Sequence, residues 1–211
     1  MSGVRRGAET RVPARRRIVL ATDNPGKARE IGAMLGPGWE VVLQSSCGIT
    51  PIEETGATFL ENALLKARHA AAAMGLPALA DDSGLEVDAL GGAPGVGSAR
   101  YAGPGASDAD NVNLLLAELA QVPDGGRAAR FRCVLAYVKE PGDKAPVIAE
   151  GTWEGRITRV PRGISGFGYD PVFEDPDSGL TAAEMAPTLK NERSHRGQAL
   201  RALRRQLQNP S

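Results

Sequence analysis

Residues 17–35 read Arg-Ile-Val-Leu-Ala-Thr-Asp-Asn-Pro-Gly-Lys-Ala-Arg-Glu-Ile-Gly-Ala-Met-Leu, and this stretch sets the fold class. Ile18, Val19 and Leu20 form a short aliphatic run with the length and composition of a buried strand, predicted over Arg17–Thr22. It stops at Asp23-Asn24-Pro25-Gly26. Lys27–Leu35 then has helical spacing, with Ile31, Met34 and Leu35 on one face and Gly36-Pro37 as the stop. A strand, a tight turn and a helix in succession imply an α/β protein. The turn also gathers free backbone N–H groups, the positive end of a helix and Lys27 at one point, as anion binding requires. It is not a Walker A loop, because Ala21 stands where glycine is needed and Ala28 follows the lysine where Ser or Thr belongs.

Further elements extend the pattern. Val41–Leu43 is a second strand candidate. Thr58 and Glu61 form a capping box that opens a helix over residues 58–74, with Leu60, Leu64, Ala67, Ala71 and Met74 at helical spacing. Asn62, Lys66 and His69 line its other side, which periodicity alone reads as a solvated face. Pro77–Ala80 is a short strand delivering Asp81 and Asp82 at its carboxyl end, followed by Ser83. Ligand sites in open α/β sheets lie at such ends, so two adjacent acids there point to metal binding or acid/base chemistry. Ser107 and Asp110 cap another helix through Leu114, Leu115 and Leu119, and Asp108 reads as a helix-start acid. Phe131–Val138 is a strand, Val147–Val160 a hairpin or two strands joined near Gly151 or Gly155, Thr181–Met185 a short helix start, and Ser194–Leu207 a terminal helix with Leu200, Leu203 and Leu207 inward. Trp153 is read as a packing residue.

The 211 residues fit one domain, with 42% hydrophobic and 24% charged residues. No apolar run approaches the length of a membrane span. Zero formal charge hides an asymmetry: six arginines and one acid lie in the first 17 residues, so the body is acidic. An acidic body is a poor nucleic-acid surface and a better host for a divalent cation. Residues 1–16 read as a disordered Arg-rich extension, 17–207 as a single catalytic domain and 208–211 as a tail. Cys47 and Cys133 form no zinc or disulfide pattern and read as buried, reduced thiols. With no signal-peptide core, the chain is expected to be cytoplasmic, without a stable nucleic-acid or membrane partner.

Gly163 to Pro171 carries three glycines around Phe167 and Tyr169, which permits close backbone approach and offers flat faces for stacking a ring. With the turn, the acids, Lys190 and His195-Arg196, the chain has the parts to hold a nucleoside triphosphate and a metal together. The blocks ATDNPGKAREI (21–31), EETGATFLENALLKARHAAAAMGLPALADDSGLEVDALGGAPGVGSARYAG (53–103), ARFRCVLAYV (129–138), GFGYDPVF (166–173) and SHRGQAL (194–200) closely resemble the inosine triphosphate pyrophosphatase family, hydrolases of non-standard purine nucleoside triphosphates. The resemblance runs from Ile18 to about Leu203, leaving the arginine-rich first 17 residues without counterpart.

The resemblance implies an elongated, two-lobed mixed-sheet α/β fold around a central nucleotide-binding groove, usually as a homodimer. It implies Mg²⁺-dependent hydrolysis of ITP, dITP and XTP to monophosphate and pyrophosphate. Thr22, Asp23, Asn24, Pro25, Gly26 and Lys27 look like the triphosphate loop, and Glu54 and Asp82 like the magnesium-associated acids. Asp82 also resembles the proton acceptor, and Lys66 a residue projecting toward the phosphates, the reverse of the solvated-face reading. Ser83, Phe167, Gly168, Tyr169, Asp170, Lys190, His195 and Arg196 resemble the remaining nucleotide contacts. A septum-associated pyrophosphatase for modified pyrimidine nucleotides lacks the support of the GFGYDP and SHRGQAL blocks. A non-enzymatic nucleotide- or RNA-binding module using the tail is opposed by the acidic body.

Overall fold

The computed structural model describes residues 15–208; the extension read over 1–16 lies outside the described residues as far as residue 14, and the tail from residue 209. Among the described residues, six strands form one mixed sheet in the order β2-β1-β3-β4-β5-β6. They are β1 (Arg16–Ala21), β2 (Trp39–Leu43), β3 (Ala78–Val87), β4 (Ala128–Val138), β5 (Val147–Ile157) and β6 (Phe173–Glu174). β1 runs parallel to β2 and β3, whereas β3, β4, β5 and β6 pair antiparallel in sequence. The helices are α1 (Pro25–Leu35), α2 (Phe59–Met74), α3 (Asp108–Glu118), α4 (Pro187–Arg193) and α5 (His195–Gln208).

The long strands β3, β4 and β5 carry two lobes. In the first lobe the sheet is covered on both faces, which explains the unbroken apolar run of β1. Ile18 and Leu20 face α1 and α5, packing with Ile31, Leu35, Leu200 and Leu203. Val19 and Ala21 face α2. In the second lobe the distal halves of β3–β5 pack Leu85, Phe131, Trp153 and Ile157 against α3 and the segment from Tyr169 to Met185. This is the expected two-lobed, mixed α/β architecture.

Three local expectations about these elements change. β3 does not end at Ala80 but continues to Val87, since from Ala78 onward it pairs with β4 along its full length. The parallel neighbour β1 does end there, with Ala21 opposite Ala80, so Asp81 and Asp82 sit one and two positions beyond the last parallel pair. β5 is one strand through Gly151 and Gly155. Neither glycine makes a turn: a Cβ on Gly151 would lie 2.0 Å from the His195 carbonyl oxygen, and one on Gly155 2.5 Å from the Phe173 ring. Both allow close approach. Thr181–Met185 is a turn, in which the Glu184 carboxylate accepts from the Thr181 N–H at 2.8 Å, and the helix waits for Pro187 at its first turn.

The inner face of α2 also differs. Ala63, Ala67, Ala70 and Ala71 are fully buried against β1 and β3, while Leu60 is 37% exposed. Alanines let the helix lie close to strands that are themselves alanine-rich, and that rotation turns Asn62 and Lys66 inward. The Thr58–Glu61 and Ser107–Asp110 capping boxes are both present. Trp153 packs as read, and its indole N–H also donates to Asp175 at 3.0 Å. Cys133 is buried and Cys47 only half-buried, and both are free.

Because the obstacle at Gly151 is helix backbone, Gly151→Ala must push the start of α5 off β5. The expected cost is about 2–3 kcal/mol, a fall in melting temperature of roughly 4–12 °C for a chain of this size. Thermal unfolding followed by circular dichroism checks it.

Candidate functional site

The turn after β1 is built by its own side chains. The Asn24 side chain caps α1 by accepting from the Lys27 N–H at 3.0 Å, and Thr22 Oγ1 accepts from the Asn24 N–H at 3.2 Å. Pro25 occupies the first turn, where a missing N–H costs nothing. Asp23 accepts from Gln44 at 2.7 Å, which ties the turn to the end of β2. A Cβ on Gly26 would lie 2.4 Å from the Phe167 ring, so this glycine lets the aromatic loop close onto the turn.

Asp81 and Asp82 are neighbours on one strand, so their side chains leave opposite faces of the sheet. Asp82 points toward α2. Lys66 spends its three donors there, on Asp82 Oδ1 at 2.7 Å, Glu54 Oε1 at 2.7 Å and the Asp81 carbonyl oxygen at 2.8 Å. Glu54 also lies 3.5 Å from Arg100. Asp82 Oδ2 is buried and has no partner among the described residues. Burial raises the Asp82 pKa above the ordinary aspartate range, against the opposing pull of Lys66 and Lys27. Burial would lower the Lys66 pKa, but Asp82 and Glu54 together carry it upward, so it stays cationic.

Asp81 points the other way, into a buried chain of alternating charges. It meets Lys27 at 2.5 Å and the Arg196 Nε at 2.9 Å, and accepts from Ser83 Oγ at 2.8 Å and from the Cys133 thiol at 3.1 Å. Arg196, 2% exposed, also pairs with Glu30 and donates to Ser83 at 3.0 Å. Lys190 then bridges Glu30 at 2.8 Å and Asp170 at 2.6 Å. Burial would raise Asp81, but Arg196 and Lys27 outweigh it and hold the carboxyl well below its usual range. Burial raises Asp170, with Lys190 opposing.

Phe167 lies under two cations, with Lys190 Nζ 5.2 Å and the Arg196 guanidinium 5.6 Å from its ring centre. His195 stacks on Phe131 at 4.8 Å and 18°. Burial, then Arg196, drives its pKa well below the usual value, so the imidazole is neutral, with a buried Nδ1 that has no partner among the described residues. Tyr169 is buried in the second lobe and donates to the Ser98 carbonyl at 2.8 Å. Gly168 N–H donates to Asp108 at 2.6 Å, so Asp108 holds the aromatic loop as well as starting α3.

Two cavities meet along this surface. One, about 620 Å³, is walled by Phe131, Phe167, Tyr169, His195, Arg196 and Ser83. The other, about 870 Å³, is lined by Thr22, Asp23, Glu54, Lys66 and Arg100. Asn24 and Lys27 line both. Glu30, Gln44, Arg100 and Phe131 escaped the sequence reading. Glu30 lies on the same helix as Lys27, three positions on, and was the only one with a local signal.

The fold and this geometry define a class: α/β proteins with a curled, six-stranded mixed sheet and a groove having one wall of lysines and carboxylates and one of aromatics. The chain belongs to the Ham1 family, whose model matches residues 18–206. It is 60% identical over 190 residues to the dITP/XTP pyrophosphatase of Methylococcus capsulatus, covering 90% of this chain and 94% of that one. The corresponding protein of Thioalkalivibrio sulfidiphilus is 57% identical over 193 residues, 91% of this chain and 98% of its own. A HAM1 protein from Coxiella burnetii superposes with a TM-score of 0.84 at 49% identity, covering 92% of this chain and 98% of that chain.

The depressed Asp81 pKa means that folding favours the ionised form. Its contribution is therefore present above the ordinary aspartate value of 3.8 and is lost as pH falls toward the lower folded value. Asp81→Asn leaves Arg196 and Lys27 without their carboxylate and is expected to cost about 3–5 kcal/mol at pH 7. In urea denaturation the gap between the two proteins should close as pH falls below about 4. A gap unchanged to pH 2 contradicts this account.

Proposed function

We propose that the chain hydrolyses non-standard purine nucleoside triphosphates (ITP, dITP and XTP) to the monophosphate and pyrophosphate, clearing them from the nucleotide pool. The carrying observation is the junction of the two cavities at Lys27 and Asn24: a ring-sized aromatic pocket opens into a charged one, matching a base followed by its phosphates. The names of relatives 54–60% identical over about nine-tenths of the chain support the same reaction. The body over residues 17–207 acts as one catalytic domain. A cytoplasmic homodimer is part of the proposal; among the described residues no helix is long and apolar enough to cross a membrane.

In this reading Thr22–Lys27 bind the phosphates through backbone N–H groups and the Lys27 ammonium. Phe167 offers its ring to the base, while Ser83, Gly168, Tyr169, Asp170, Lys190, His195 and Arg196 shape the pocket around it. His195 and Arg196 bring donors suited to a 6-oxo purine, against which an adenine amino group is mismatched.

Magnesium fits the donor set. Asp82 Oδ2 is a buried carboxylate oxygen without a partner, and Lys66 draws Asp82 and Glu54 together. Among the described residues no cluster of three or more His, Cys, Asp or Glu ligands forms. Glu54 and Asp82 would therefore share the ion with substrate oxygens and water, the usual manner for this metal. When bound, Mg²⁺ offsets phosphate charge and lowers the barrier to nucleophilic approach. Asp82 either joins the ion through Oδ2 and orients the attacking water, or keeps Oδ2 free and accepts that water's proton, the role its raised pKa suits. Lys66, with all donors committed to protein oxygens, holds both carboxylates in place, and it lines the phosphate cavity together with Glu54.

Pyrophosphate release measured over a nucleotide panel, with and without Mg²⁺, tests the proposal. Monophosphate and pyrophosphate are the expected products; orthophosphate appearing with a diphosphate refutes it. ITP should exceed GTP in kcat/KM by more than tenfold, a difference above ~1.4 kcal/mol.

Asp82→Asn should lower kcat by about 10²–10⁴-fold while leaving the fold intact. Lys27→Ala should act mainly on KM. Near-normal turnover of Asp82→Asn at saturating Mg²⁺ would move the base and metal roles to other groups.

A further inference from the structure

A separate cavity of about 580 Å³ opens on the second lobe, where β5 ends and the chain turns toward the aromatic loop. Its charged lining is Arg127, Arg156, Arg159 and Arg162 against Asp124 and Glu174. None of these side chains lines the nucleotide groove. Four cations face two carboxylates, and the carboxylates are already engaged. Buried Glu174 is shared between Arg156 and Arg162, and Asp124 meets Arg159 at 2.7 Å.

Arg127 is 2% exposed, and among the described residues no carboxylate lies within ion-pair distance of it. Three of its donors go to backbone carbonyls: Nε to Ile157 at 2.8 Å, one terminal nitrogen to Leu119 at 2.6 Å and the other to Thr158 at 3.0 Å. A guanidinium has five N–H groups, so two remain. Burial, followed by the nearby Arg159, disfavours its charge, and Asp124 offsets this only in part. Among the described residues the buried Nε of Arg162 makes no hydrogen bond, although Glu184 lies 3.5 Å away and Glu174 pairs with the same guanidinium. A buried cation without a counter-charge is costly, and an anion in the cavity beside it removes that cost.

We propose that this cavity binds a small phosphate-type oxyanion, inorganic phosphate or pyrophosphate. Planar guanidinium forks match such an anion with paired N–H···O bonds. The Asp124 and Glu174 carboxylates confine the site to a compact ligand, since an extended polyanion would lie against them.

The test is an amide NMR titration of the full chain with inorganic phosphate, and separately with pyrophosphate, at constant ionic strength set by chloride. Saturable shifts are expected at Asp124–Arg127 and Ile157–Arg162 with one or both oxyanions. The double variant Arg159→Ala/Arg162→Ala should bind at least tenfold more weakly at these amides, while shifts at Thr22–Lys27 persist. Both arginines are partly exposed, and the amide spectrum reports whether the fold survives. If it does not, Arg159→Gln alone should weaken binding at least threefold. The proposal is overturned by absence of saturable shifts at the cavity, by unchanged affinity in the variant that folds, or by a stronger response there to a single-stranded oligonucleotide than to either oxyanion.

Discussion

The ion pair between Asp81 and Arg196 is buried at the centre of the molecule, and the arrangement of the first lobe and the groove follows from it. Taking two such charges out of water is expensive, and their attraction repays it only where further partners satisfy what remains. Here Lys27, Ser83, the Cys133 thiol and Glu30 do so, and Lys190 and Asp170 extend the alternation. The chain of charges draws members from α1, β3, α4, α5 and the aromatic loop. Removing one member strands the next, so the network specifies how these elements meet and not merely that they do.

Strand geometry then divides the electrostatics. Asp81 and Asp82 are consecutive, yet the pleat sends one toward α5 and the other toward α2. Asp81 is surrounded by cations and ionises readily. Asp82 shares one lysine with Glu54, keeps an unpartnered oxygen and has a raised pKa. Two identical side chains in adjacent positions thus acquire different properties, one as counter-ion for the binding cations and one as a reactive carboxylate.

Small residues bring the backbone close enough for this. The alanine face of α2 brings Lys66 down onto Asp82 on the same face of the sheet, Gly151 lets α5 present His195 and Arg196 beside β4 and β5, and Gly26 lets Phe167 lie on the phosphate turn. The aromatic wall rests on the same device: His195 stacks on Phe131, and Phe167 lies beneath Lys190 and Arg196.

The strand-turn-helix of residues 17–35, the two capping boxes and the terminal helix were legible because each is decided by neighbours within a few residues. The block resemblance carried the groove residues further than periodicity did, above all Lys66, which periodicity alone puts in solvent. What local pattern could not convey depends on partners distant in the chain. β3 runs past Asp82 because β4, some 50 residues later, pairs with it. Gly151 and Gly155 look like turn residues until α5 and Phe173 are seen to occupy the space a side chain would need. Leu60 is left outside because α2 lies on the sheet chiefly through Ala63, Ala67, Ala70 and Ala71, a face that periodicity does not single out. Glu30 and Phe131 enter the site for the same reason: ion pairs and ring stacking act through space, and only the folded chain brings Arg196, Lys190 and His195 to them.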